Sequence, residues 1–262
     1  MWSRSTLKQN AKNVLRGNYW MAFLVCLLAS VLTGGLSAGG SGAQVNYNVT
    51  DTDLTQLMNG QVDPTLIAAA IGVASMAAAF GLVIGLAFNF FVYGPIKIGQ
   101  MRYFLESRES GSSVGQLFYG FKGEYIKNAA AMFLTDLFTA LWSLLFISPG
   151  IVKSLAWSQV PYLLAENPGM SGKRARELSD QMTMGHKWDL FVLNLSFLGW
   201  FLLSGISFNI AGIFYVNPYY QATLAEAYRF LRENAMANGY TNRSELPGTQ
   251  PPLWSGGTGV GL

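Results

Sequence analysis

Histidine and cysteine occur once each in this chain, as His186 and Cys26. A lone cysteine excludes an intrachain disulfide framework, and without a Cys/His cluster a zinc or iron–sulfur site has no ligand set. Serine with one distant histidine makes no triad, and the HExxH pair, the G-x-S-x-G elbow and the nucleotide-binding loop are all missing. "GGLSAGGSG" (34–42) has glycines but no following Lys-Ser/Thr, and "DTD" (51–53) lacks the other ligands of a calcium loop. These absences predict no catalytic residues, no metal and no cofactor. Charge is scarce as well, at 12% of residues against 51% hydrophobic, about half the density of a soluble domain. A net charge of +3 gives no footprint for nucleic acid.

What is present is apolar sequence in blocks of bilayer-crossing length. Six runs lie near 19–37, 67–94, 129–148, 150–166, 188–205 and 207–225. Lys and Arg gather before the first run (Arg4, Lys8, Lys12, Arg16), between the second and third, between the fourth and fifth, and after the sixth. An even number of spans puts all of these on one side, which the positive-inside rule makes the cytoplasm. Lys153 is left near the other face, where its stem can snorkel outward. Loop 38–64 has Asp51, Asp53 and Asp63 and no Lys or Arg, as an external loop would. The fold expected is an all-α, polytopic helical bundle of about six transmembrane helices in three hairpins, with both termini inside. Residues 1–236 form one integral membrane domain, and 237–262, rich in Gly and Pro at its end, form a flexible cytoplasmic tail.

Three stretches entering the bilayer rhyme: "RGNYWMAFLV" (16–25), "KGEYIKNAAA" (122–131) and "MGHKWDLFVL" (184–193). Each has a glycine (Gly17, Gly123, Gly185), a polar residue (Asn18, Glu124, His186), then Tyr or Lys, then Trp20, Ile126 or Trp188. Glycine suits the turn out of a preceding helix, and the Tyr, Lys and Trp residues suit the headgroup layer. His186 stands where the other two carry Asn and Glu, an exchange that imidazole chemistry would not survive, so a membrane-surface role is expected of it. Before each glycine lies a candidate interfacial helix: 4–16, with Leu7, Ala11 and Val14 beside the row Arg4, Lys8, Lys12 and Arg16; 113–122, with Leu117, Phe118 and Phe121 directed at lipid; and 173–184, with Ala175, Leu178 and Met182 on one face. Such helices are drawn to anionic lipid, for which Arg4, Lys8, Lys12 and Arg16 are the candidate contacts. The returning spans share a looser pattern, with Pro95, Pro161 and Pro218 ahead of "YFLE" (103–106), "YLLAE" (162–166) and "RFLRE" (229–233). Between the second and third units, Glu166 and Arg174 flank "NPGMSG" (167–172), a hinge in which Ser171 caps the next helix.

Asp136 is the one acidic residue well inside a run, about eight residues and so about 12 Å beyond Asn128. An intramembrane carboxylate is costly and marks function by default. Asn89, Gln159, Asn194 and Gln221 fall at comparable depth. Either these five line a cytoplasm-facing polar cavity, or they close against each other as interhelical hydrogen bonds.

The stretch 147–200, with its Ser-Pro-Gly, Pro-Tyr-Leu-Leu-Ala-Glu and Gly-His-Lys-Trp elements, together with 7–25, resembles a family of bacterial integral membrane proteins catalogued as domain of unknown function nine-seven-five. A looser likeness runs to YciC-type proteins and to the membrane domain of some glycerophosphodiester phosphodiesterases. The resemblance implies a multi-pass protein of the bacterial cytoplasmic membrane and carries no catalytic residues. The functional expectation is a non-enzymatic scaffold, accessory or envelope-related protein. It would act through anionic lipids, a membrane protein partner or a second copy of itself, without nucleic acid. The alternative is a small transporter or channel around Asp136.

Overall fold

The computed structural model describes residues 2–33, 64–107, 113–207 and 209–247. The expected external loop 38–64 lies almost entirely outside them. Among the described residues the chain is helical and has no strand. It divides into two compact units, one of residues 1–36 with 90–262 and one of residues 37–89, each described by itself. In the second unit, α2 (Pro64–Phe88) is a small-residue and aliphatic helix, exposed along most of the described part of its length.

In the first unit, α1 (Arg4–Leu32) breaks at Asn18, whose φ of −133° and ψ of 29° follow Gly17. Before the break, Leu7, Ala11 and Leu15 recur every four residues on one helical face and are buried. Then come α3 (Gly94–Glu106), a 3-10 turn segment (Val114–Phe121), α4 (Tyr125–Leu145), α5 (Ile147–Ala156), α6 (Val160–Glu166), α7 (Gly172–Thr183), α8 (Lys187–Leu195), α9 (Leu198–Ile206) and α10 (Asn217–Ala237). Among the described residues four helical runs are long and apolar enough to cross a membrane: Arg4–Leu32, Ile71–Glu106, Tyr125–Leu145 and Lys187–Ile206. The runs expected at 150–166 and 207–225 do not form single helices of that kind. Residues 157–159 interrupt the first, and the second passes from a π turn (Gly212–Val216) into the largely polar α10.

Two of the three glycine entries share a conformation. Gly123 and Gly185 have φ of +62° and +81°, the left-handed region glycine enters cheaply, whereas Gly17 stays helical and the break in α1 falls on Asn18. Their leading segments pack on protein: α1 on α10 and α3, 114–121 on α3, and α7 on α4, α5, α6 and α10 alike. Much of the apolar surface expected to meet lipid is thus occupied within the fold. Leu117 is fully buried, as are Ala175, Leu178 and Met182, while Phe118 and Phe121 remain exposed.

Prolines organise the returns. Pro95, Pro161 and Pro218 each stand second in α3, α6 and α10. A proline lacks an N–H and crowds the carbonyl four residues back. Before Pro95 and Pro218 the chain widens into π turns (Asn89–Tyr93 and Gly212–Val216), and before Pro161 the helix breaks. Two of the affected carbonyls find tyrosine partners on other helices. Tyr125 donates its hydroxyl to the Phe91 carbonyl at 2.9 Å, and Tyr19 donates to that of Phe214. The third carbonyl, Trp157, accepts from Val160 N at 3.1 Å, and the corresponding entry residue is Lys187 rather than tyrosine.

A buried ionic hub ties the return helices together. Glu166 accepts from the Tyr228 hydroxyl at 2.5 Å and lies 3.0 Å from Arg232 Nε, a charge contact rather than an aligned hydrogen bond. Arg102 donates to the Ala165 carbonyl at 3.0 Å and Arg229 to that of Leu105, so guanidinium groups meet the C-terminal ends of α6 and α3. Tyr162 stacks on Tyr228 with ring centroids 5.0 Å apart. A buried pair of this kind costs desolvation that good geometry must offset, and here a hydroxyl and two helix ends share the work.

The segment after α10 is docked where a flexible tail was expected from 237. Arg174 clamps Glu245 with Nε and Nη2 at 2.7 and 2.9 Å, Asn167 donates to the Glu245 carbonyl at 3.0 Å, and Leu246 is fully buried. The Arg174 hydrogen bond holds the Glu245 carboxyl below the usual carboxylate range. Ser171 caps α7 as expected, accepting from Arg174 N at 3.3 Å. Residues 248–262 lie outside the described residues.

Candidate functional site

Asp136 lies on α4 between Thr135 and Thr139, and beside it a cavity of about 260 Å³ opens between α3, α4 and the α5–α6 connection. Lys97, Thr139, Ser154 and Ser158 share its wall with Asp136 and Thr135. Lys97 is two residues past Pro95, so the proline that starts α3 also places an ammonium here. Thr135 and Thr139 are one helical turn apart and face one way, and Ser154 on α5 is joined at the wall by Ser158 of the 157–159 turn.

The four hydroxyls are already committed as donors. Thr135 and Thr139 donate to the carbonyls of Ala131 and Thr135, both at 2.7 Å. Ser154 and Ser158 donate to Ile151 and Leu155 at 2.8 and 2.7 Å. What these side chains offer the cavity is therefore oxygen lone pairs. Among the described residues no side chain donates a hydrogen bond to Asp136, and Lys97 shares the cavity without pairing directly with it. The result is an acceptor-rich pocket with one carboxylate and one ammonium held apart.

The other expected members of the polar layer go elsewhere. Gln159 is buried beside the cavity wall and donates to Ser158 Oγ at 2.6 Å. Asn194 is closed on its own hairpin, donating to the Leu190 carbonyl at 2.9 Å and accepting from Tyr220 at 2.6 Å. Gln221, half-buried, keeps its Oε1 without a partner and does not line the cavity. Asn89 belongs to the unit 37–89. Of the four that share a unit, one lines the cavity, one neighbours it and two stand apart, because depth along a helix does not fix which face a side chain takes.

One other expectation changes. Lys153, expected at the opposite face, lies 3.5 Å from Asp180, which Lys187 also meets at 2.7 Å. Burial opposes ionisation of Asp180, but these two ammonium groups outweigh it and hold the carboxyl below its ordinary range. His186 is partly buried against aromatic neighbours. It stacks on Trp2 at 5.7 Å, meets Phe230 edge-on, and contacts Asp189 at 3.0 Å and Asn234 at 3.4 Å. Of the candidate lipid contacts, Arg4, Lys12 and Arg16 are exposed, while Lys8 is half-buried over the Phe197 ring at 4.4 Å.

The stretch that builds the α5–α6 wall of the cavity, the hinge and the third hairpin is also the stretch with a recognisable relative.

Residues 144–235 match the family model described as protein of unknown function (DUF975).

The DUF975 match contains all of 147–200 and bears out the resemblance drawn from that stretch. It takes in Ser154, Ser158, Glu166 and Asp180 and leaves Lys97 and Asp136 outside. No curated protein and no solved structure matches the chain, so the looser likenesses to YciC-type proteins and phosphodiesterase membrane domains gain no support.

Proposed function

We propose that the protein is a non-enzymatic, multi-pass protein of the bacterial cytoplasmic membrane, with six membrane passes and both termini in the cytoplasm, and that it works as a scaffold or accessory through lipid and protein contacts. One observation carries this reading. Trp20, Ile126 and Trp188, each three residues past an entry glycine, are 72%, 68% and 72% exposed. Large apolar side chains left bare at three matching places, beside Arg16, Lys122 and Lys187, suit a headgroup layer encircling the protein. The far ends of the hairpins agree, since Leu144 and Ile206 are 85% and 79% exposed. The two passes that are not single apolar helices would be made by α5 with α6 and by residues 209–225, whose broken turns are tolerated where protein surrounds them. Arg4, Lys12 and Arg16 supply the exposed charge for anionic lipid.

The lone Cys26 makes the test clean. In a Cys26→Ala background, single cysteines at Lys122, Lys173 and Arg243 should be protected from a membrane-impermeant thiol reagent in intact cells, and one at Asp51 should be labelled. Labelling of Lys122 and Lys173 from opposite sides would end the reading. The cavity favours a second reading, a small transporter or channel through Asp136. It expects solute flux in proteoliposomes that Asp136→Ala abolishes and Trp20→Ala leaves intact.

A further inference from the structure

The cavity's chemistry selects its occupant more narrowly than transport does. Its volume of about 260 Å³ falls below the usual range for drug-sized ligands and matches a headgroup-sized molecule. The Thr139 and Ser154 oxygens, whose protons are spent on helix carbonyls, and the Asp136 carboxylate call for a ligand rich in N–H donors, while Ser158 Oγ and Thr135 Oγ1, already accepting from Gln159 and Arg176, keep one lone pair each. Lys97, on the same wall and not paired with Asp136, calls for an anion on that ligand. We propose that this cavity binds a small zwitterion, with a primary ammonium on Asp136, Thr139, Ser154 and Ser158 and a phosphate on Lys97. That is the chemistry of an ethanolamine phospholipid headgroup, or of the same zwitterion free in water.

A primary ammonium has three N–H groups to give to the carboxylate and the hydroxyl oxygens. A trimethylated ammonium has none, and an anionic glycerol headgroup has no cation at all. The site therefore ranks ethanolamine above choline and glycerol headgroups with identical tails. Each charge-assisted hydrogen bond that a headgroup fails to make should weaken its binding about tenfold or more. The inference deepens the reading of the cavity as a ligand site but does not require that anything be transported.

The test is native mass spectrometry of the full-length protein in detergent, titrated with phosphatidylethanolamine, phosphatidylcholine and phosphatidylglycerol of the same acyl chains, with free phosphoethanolamine as competitor. Wild type should retain phosphatidylethanolamine about tenfold more strongly than the other two. Asp136→Asn and Lys97→Gln should each erase that preference, and Thr139→Val should reduce it. Competition by free phosphoethanolamine would assign the site to the free zwitterion, and its failure to compete would assign it to the lipid. Should Asp136→Asn not fold, the wild-type headgroup ratio and Thr139→Val still decide. Equal retention of the three lipids, or a preference unmoved by these substitutions, would overturn the proposal. Selective binding without flux in proteoliposomes would remove the transporter reading alone, and flux without selective binding would remove this one alone.

Discussion

Glycines in this chain do two different jobs, and single substitutions should separate them. A Cβ on Gly99 would come within 1.9 Å of the Leu117 carbonyl oxygen, and one on Gly120 within 2.2 Å of that of Pro95. Both neighbours are backbone, so α3 and the 114–121 segment would have to part. A Cβ on Gly185 meets nothing within 4 Å, and its only penalty is the positive φ of 81°. Gly99→Ala and Gly120→Ala should therefore lower the melting temperature in detergent more than Gly185→Ala, which costs about 1 kcal/mol. A smaller effect at Gly99 than at Gly185 would show that α3 and 114–121 are not so close. The tyrosines that reach the π turns allow a cycle. Tyr125→Phe should cost about 1 kcal/mol by removing a donor from the Phe91 carbonyl. Pro95→Ala, which returns an N–H to the helix, should shrink that cost, so the two changes should be non-additive.

Charge ties α7 to segments on either side of it. Asp180 holds Lys187 and Lys153, and Arg174 holds Glu245 of the docked segment. Both carboxyls are depressed below their ordinary range. A depressed carboxyl contributes stability above its unfolded pKa and loses it as pH falls through the folded value. Protection of residues 240–247 against proteolysis should therefore persist at neutral pH and fade below the usual carboxylate range. Arg174→Ala should release the segment at neutral pH and flatten that dependence. All of these side chains are a quarter to a third exposed, so water screens the pairs and the effect should weaken further at high salt. Loss of protection that ignored both pH and Arg174 would assign the docking to Leu246 alone.

For the whole molecule, the Glu166 hub predicts that damage spreads between helices distant in sequence. Glu166→Ala leaves Arg232 buried without its carboxylate and Tyr228 without its acceptor. Removing one partner of such a buried pair costs about 3–5 kcal/mol. Glu166→Ala should expose α10 to hydrogen exchange as strongly as α6, although the two are far apart in sequence. A rise confined to α6 would show the two helices to be independent.

The sequence by itself determined the features that depend on local pattern. Blocks of apolar residues specified an all-helical chain with membrane-length helices. The glycine triplets marked where it turns, Pro95, Pro161 and Pro218 marked where return helices begin, and Ser171 marked a cap. Each is written in a few neighbouring residues and set by backbone sterics or hydrogen bonding within a turn or two. The tertiary structure alone decided partnership. Asp136 stood out as a carboxylate in an apolar run, yet the residues that share its cavity, Lys97, Ser154 and Ser158, come from other elements. Nothing in the sequence said that these and Thr135 with Thr139 would line one cavity. Lys153 meets Asp180, His186 meets Trp2, and Leu246 is buried because packing joins segments far apart in sequence. That choice is made by which surfaces fit and which charges are desolvated together, and neither is a property of any one stretch of chain.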